Sequence, residues 1–220
     1  MQFPAQHIPF IKSGFMLRTA EVNLDPTAGI AMVGQNGSGK STWAKAVAGV
    51  LKTGNRTAEK WLYVPQSMEQ FFFAETLAEQ LGYLFPDGYD RERLGDLFAQ
   101  FRLDSSKLAS YPLRWLSGGE RRRAALACAL YLEASYLILD EPTIGLGPNE
   151  ALVMLDLLNT LQARLAGLVV ITHALDVING RRFVLGFEAG GIVYQGVSEE
   201  FSKSRNLIQK FGVRTIRQPI

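Results

Sequence analysis

The apolar positions of this chain fall into two textures. Residues 30–34 (IAMVG), 61–65 (WLYVP), 136–140 (YLILD), 168–172 (LVVIT) and 183–187 (FVLGF) are short apolar blocks with little polar alternation. Such blocks suit strands covered on both faces, as in a parallel sheet. Between them, 41–51 and 149–165 place apolar residues at helical spacing. Strands alternating with helices predict a mostly parallel sheet with helices on its faces. Residues 15–24 (FMLRTAEVNL) predict an early strand paired with the segment before it, and GIVYQG at 191–196 a last strand. Asp25-Pro26-Thr27-Ala28-Gly29 reads as a turn.

From 67 to 130 the pattern changes. AETLAEQLGYLF, RERLGDLFAQF and ERRRAALACALYL repeat at about 3.6 residues and contain no convincing strand. One domain over 1–220 is expected, with 1–66 and 131–220 forming the core and 67–130 a helical insertion. The tail from 206 predicts a terminal helix and an extended end. Phe71, Phe72 and Phe73 stand at the entry to the insertion. If they are helical, they point about 100° apart, so at least one is exposed unless a neighbouring helix or a partner covers it.

Composition narrows the function. The 220 residues hold one well-buried α/β domain, not two cores. A net charge of +2 gives no electrostatic case for nucleic acid. Arg121-Arg122-Arg123 reads as a solvated helix face or as helix-end charges rather than a DNA footprint. The one cysteine, Cys128, sits among alanines and reads as a packed helix residue. There is no apolar run long enough for a membrane span, nor an apolar core behind a basic start in MQFPAQHIPFIK. A cytosolic protein is expected, tied to a membrane only through a partner.

The first chemistry follows the 30–34 block. Gly34-Gln35-Asn36-Gly37-Ser38-Gly39-Lys40-Ser41 matches the phosphate-loop pattern. Glycines let backbone N–H groups approach phosphate oxygens, and the following helix points its positive end at them. Lys40 can reach the β- and γ-oxygens, and the Ser41 hydroxyl can ligate Mg²⁺. A nucleotide with Mg²⁺ is the expected ligand, and the loop alone would suit a kinase, a GTPase or a motor.

Downstream, Leu116-Ser117-Gly118-Gly119-Glu120 opens a helix and offers a second anion site of the same kind. YLILDEP delivers Asp140 and Glu141 to the end of a strand. Asp140 can hold a metal through water, and Glu141 stands one residue further toward a substrate water. Gln66 and His173 each follow a strand. His7 has no such context and reads as a surface residue.

In this order the motifs resemble those of ATP-binding cassette (ABC) ATPase subunits, over residues 24 to about 200. The resemblance implies an α/β fold of the P-loop NTPase kind: a RecA-like, mostly parallel sheet, an inserted helical subdomain and a small N-terminal antiparallel β part. It implies that Gly34, Asn36, Gly37, Ser38, Gly39, Lys40, Ser41 and Thr42 bind one ATP. Ser41, Gln66 and Asp140 would serve the metal. Glu141 would be the general base, His173 the γ-phosphate contact and Gln66 the sensor that connects the site to the helical subdomain. Ser117, Gly118 and Gly119 would contact the ATP of a second ABC subunit, in a homo- or heterodimer. Integral membrane transport subunits are the other implied partners, with this subunit on the cytoplasmic face of the membrane.

The chain departs from the family pattern in four places. Gly147 stands where an aspartate normally helps couple the paired sites. Glu120 replaces a usual glutamine, and Ala174 follows His173 where aspartate is common. The stretch from Lys40 to Gln66 is short, which implies a trimmed β-subdomain and leaves the adenine-stacking aromatic open between Phe10 and Phe15, or neither. Gln66 to Gln70 before a Thr76-led helix, with LDEPTIGLGP and GGIVYQGVSEEF, resembles the ATPases of energy-coupling-factor importers. A soluble ABC ATPase outside transport and an ATP-binding regulatory module with weak turnover stay open as alternatives.

Overall fold

The five apolar blocks form the parallel part of one six-stranded sheet. The computed structural model describes residues 1–10, 15–52, 54–105 and 111–216. Short antiparallel pairs lead the chain: β1 (Gln2–Phe3) with β4 (Val22–Asn23), and β2 (Gln6–Phe10) with β3 (Phe15–Thr19). The main sheet contains β5 (Ile30–Gly34), β6 (Trp61–Val64), β7 (Tyr136–Asp140), β8 (Gly167–Ile171), β9 (Phe183–Glu188) and β10 (Gly191–Val197). Their order is β10-β9-β5-β8-β7-β6, with only β10 antiparallel. The carboxyl ends of β5, β6, β7 and β8 therefore open on one edge, where open α/β sheets bind ligands.

Alternation survives within these buried strands. Ile138, Ile30 and Met32 face a core with Phe3, Trp43 and Trp61, which covers the sheet with helix α1 (Lys40–Val47) and the N-terminal strands. Leu137 and Leu139 face the opposite side, toward the helices of the insertion and α5 (Pro148–Arg164). Each face is thus closed by different layers, as a period of two requires.

Three helices fill the insertion: α2 (Leu77–Leu84), α3 (Arg91–Gln100) and α4 (Gly118–Tyr131). Local capping sets their starts. The Thr76 hydroxyl accepts from the Glu79 amide while Glu79 accepts from the Thr76 amide, and Asp90 accepts from the Arg93 amide at 3.0 Å. Helix α4 is buried along Ala124–Ala129, with the Cys128 thiol pushed up to about 12 by burial. Its three arginines 121–123 are half-buried rather than solvated, because the helix lies in the angle between insertion and core. The three phenylalanines are not helical. They follow a 3-10 turn, Met68–Gln70, and Phe72 is buried, Phe71 half-buried and Phe73 63% exposed.

The expected terminal helix is present over Arg205–Lys210, but the end after it folds back rather than running on extended. After α6 (Leu175–Asn179) and the last strands, α7 (Ser198–Lys203) and α8 (Arg205–Lys210) bury Phe201 and Phe211 against Ala31, Val33 and Val184. The chain then turns back, and Arg214 bridges in parallel to Ala174 beside the end of β8. Residues 217–220 lie outside the described residues.

Candidate functional site

The phosphate loop is built so that side chains cannot fill it. Gly34 has φ 151°, and a Cβ there would collide with the Phe187 carbonyl and lie 2.8 Å from Ser38 Oγ. Gly39 has φ 106°, and its Cβ would lie 2.9 Å from Leu17 Cδ1. Helix α1 starts after Gly39 with no side-chain cap, so its leading amides are left to a ligand. Lys40 is almost wholly buried, and its ammonium donates to the carbonyls of Gly34 at 2.6 Å and Gln35 at 3.0 Å. Burial lowers its pKa, against the pull of Glu141 and Asp140.

Two carboxylates face this lysine. Asp140 ends β7 and accepts a hydrogen bond from the Tyr63 hydroxyl at 2.6 Å. Burial, then the Asp140 charge, pushes the Tyr63 phenol well above its ordinary value, so it remains a donor. Glu141 has φ 49°, a left-handed conformation that costs a non-glycine residue on the order of 1–3 kcal/mol. Its amide is tied to the Ile171 carbonyl at 2.9 Å, which fixes the carboxylate at the strand edge. Burial first, then repulsion from Asp140, raises its pKa to about 7, while Lys40 opposes the rise. A carboxyl group poised there can take a proton from water.

His173 follows β8, and its Nε2 lies 3.4 Å from Glu141 Oε1 in a contact without hydrogen-bond geometry. Burial and the charge of Lys40 lower its pKa, while the Gly212 and Phe211 backbone groups that its ring hydrogen-bonds favour the charged form. Gln66 is exposed just past β6. Asn36, Gly37, Lys40, Ser41, Gln66, Asp140, Glu141 and His173 together line a cavity of about 570 Å³. That volume is ordinary for a small-molecule site. Gly34, Ser38 and Gly39 shape the loop, with Ser38 buried and Thr42 in the first turn of α1.

No cluster of three His, Cys, Asp or Glu among the described residues could hold a metal alone. The oxygens of Ser41, Gln66 and Asp140 line the cavity instead. Such a sparse hard-oxygen set fits Mg²⁺, which is commonly held by one or two protein groups plus substrate phosphates.

Ser117, Gly118 and Gly119 do not line this cavity. Ser117 caps α4, accepting from the Glu120 amide at 3.2 Å, and its own amide donates to Glu120 Oε2 at 2.8 Å. A Cβ on Gly119 would lie 2.8 Å from Glu150 Oε1, so α5 packs directly on this turn.

Sequence reasoning missed Tyr63, Gly212 and Arg214. The latter two line the cavity from the folded-back tail, more than 170 residues from the phosphate loop. Only a tertiary contact puts them there. Of the two candidate aromatics, Phe15 lies against Gly39 and Gly190 beside the loop, whereas the Phe10 side chain lies outside the described residues. His7 is exposed.

Known proteins resemble this chain in sequence and in fold. A family model described as ABC transporter matches residues 17–144. The zinc import ATP-binding protein ZnuC of Rhizobium johnstonii is 28% identical over 219 residues, covering 95% of this chain and 70% of the relative. The fold is similar to that of cbiO1 from Clostridium perfringens, part of the ABC transporter complex cbiONQ, with a TM-score of 0.75 at 24% identity over 95% and 92% of the two chains. It is also similar to a dimeric, post-hydrolysis structure of the ATP-binding cassette MJ0796 bound to ADP and phosphate, with a TM-score of 0.73 at 18% identity over 90% and 99%.

Proposed function

This chain belongs to the ABC transporter family and is an ATPase of it, and from that premise we propose that it is the ATP-binding subunit of an importer of the energy-coupling-factor class. One observation carries the catalytic part of this reading: Lys40, Gln66, Asp140, Glu141 and His173 converge on one cavity, while Ser117 lies outside it. A complete site then needs the Ser117-Gly118-Gly119 turn, the family's signature turn, of a second subunit, so the working unit is a nucleotide-sandwich dimer. ZnuC and cbiO1, named for zinc import and for the cbiONQ complex, support import as the driven process. Among the described residues no helix is long and apolar enough to cross a membrane. The subunit therefore acts peripherally, through membrane partners.

In this mechanism the amides of the phosphate loop and Lys40 hold the triphosphate. Ser41, Asp140 and Gln66 would hold Mg²⁺, which would supply positive charge to the phosphates. Tyr63 holds the Asp140 carboxylate in place. Glu141 orients water and takes its proton as the water oxygen attacks the γ-phosphorus and the bond to the β-phosphate oxygen breaks, releasing ADP. His173, beside Glu141, contacts the γ-phosphate.

The test is Glu141→Gln in the purified protein. ATP binding is expected to persist while turnover falls at least about 100-fold, with a dimer accumulating in ATP. Unchanged turnover would remove Glu141 from the mechanism. A second reading, an ATP-binding regulatory module with weak turnover, is favoured by Gly147 alone. Wild-type turnover that stays low even with the membrane partner present would select it.

A further inference from the structure

The tail after α8 is fastened to the nucleotide cavity from several sides. Arg214 donates its amide to the His173 carbonyl and accepts from the Leu175 amide, both at 2.8 Å. The Ile216 amide donates to Asp176 at 2.7 Å. On the other side, Gln35 of the phosphate loop donates to the Lys210 carbonyl at 3.2 Å, and Lys210 pairs with Glu188 at 3.0 Å. Phe211 and Val213 are buried beneath, so the backbone between these ties has little freedom. The switch-histidine loop and the phosphate loop are thereby joined through one short stretch of chain.

This stretch carries a cation. The Arg214 side chain is exposed and lines the same cavity as Lys40, Glu141 and His173. Among the described residues its guanidinium makes no ion pair, while its backbone is held in register on both sides. We propose that Arg214 is a ligand of the terminal phosphate, supplied within the subunit by the folded-back tail and registered to His173. The inference rests on the ATPase reading above. Chemically, a guanidinium presents a planar fork that matches phosphate oxygens bidentately. Arginines supplied from within the same chain stabilise the charge that develops on a transferring phosphoryl group in other nucleotide hydrolases. An exposed arginine is ordinarily a solvated surface charge; the backbone registration beside His173, at the wall of the cavity, sets this one apart.

A terminal-phosphate ligand acts on ATP and not on ADP. The test therefore measures the affinities of Arg214→Gln and Arg214→Lys for both nucleotides with Mg²⁺, alongside the wild type. Arg214→Gln is expected to lower ATP affinity about fivefold or more while ADP affinity stays within about twofold, and Arg214→Lys to recover part of the loss. An unchanged ATP-to-ADP ratio overturns the proposal, whether both affinities hold or both fall. Equal loss in the glutamine and lysine variants overturns the charge argument. Wild-type protein that binds neither nucleotide fails the ATPase reading itself, before Arg214 is tested.

Discussion

The phosphate loop and the signature turn are both glycine-bearing entries to helices, yet they are finished in opposite ways. At α1 no side chain caps the helix, and the leading amides wait for a ligand. At α4 the first turn is closed by its own residues, with Ser117 and Glu120 satisfying each other's amides. A reciprocal cap is worth about 1 kcal/mol to a helix. The signature helix is therefore stable without phosphate, while the Ser117 hydroxyl proton is still free to be given to one. One half-site is assembled around buried Lys40, and the other, on the proposed reading, is a surface completed by a second subunit.

That contrast can be broken most severely by separating the two halves between chains. Lys40→Ala should lose nucleotide affinity, and Ser117→Arg should block the shared interface, each lowering turnover at least about 100-fold alone. Mixed together, the two inactive variants form some dimers in which one loop and one signature turn are both intact. Recovery to about a quarter of wild-type turnover is expected, from one good site in half of the dimers. ATPase assays on titrated mixtures check this, and no recovery at any ratio would mean that the two motifs do not meet across subunits.

A milder test sharpens the role of the helical side. Phe73 is 63% exposed and packs at a tilt against Tyr83, itself 73% exposed, with ring centroids 6.0 Å apart. A separate groove is lined by Met68, Phe72, Ala74 and Leu113 together with the charged Glu69, Glu75, Arg114 and Arg121. The exposed Phe73–Tyr83 pair suits the short helix of a membrane partner. Phe73→Asp is expected to leave basal ATPase within about twofold while weakening co-purification with the membrane subunits at least about tenfold. Loss of nucleotide binding in that variant would show the ring to be structural.

How much of this could be read from residues follows the reach of each interaction. The strands at 30–34, 61–65 and 136–140 were legible because burial on both faces leaves an unbroken apolar block. The loop from Gly34 to Ser41 was legible because phosphate chemistry needs fixed types at fixed spacing. Arg181 was not: it is buried, donates to Leu158 and Asn159, and has its pKa lowered to about 10 by burial, all from partners more than twenty residues away. Gly212 and Arg214 escaped for the same reason. The tail's hydrophobic anchors, Phe201 and Phe211, look like surface-helix residues until the β5–β9 face they cover is known. The 71–73 run was half legible: one exposed ring was expected and found, but the chain achieves it after a 3-10 turn rather than on a helix.

The smallest expected effect concerns position 147, where glycine stands in place of the family's aspartate. Gly147 is the N-cap of α5, with ordinary extended angles of φ −64° and ψ 162°, and nothing lies within 4 Å of where its Cβ would be. Aspartate fits there without strain. It can also accept from the first-turn amides that no side chain now caps, so Gly147→Asp should raise thermal stability by a few tenths of a kcal/mol. The same helix brings Glu150 against Gly119 of the signature turn one turn later. A carboxylate at 147 would thus sit at the start of a helix that already touches the turn proposed to meet the partner's phosphate. If the family's aspartate couples paired sites through this helix, the variant should raise homodimer turnover a few-fold and steepen its dependence on ATP. The measurement is turnover against ATP concentration for both proteins, with melting temperature as the control for folding. Higher stability with flat activity and an unchanged Hill slope would make the glycine a neutral departure, and coupling would then have to run through Glu150 and Gly119 without it.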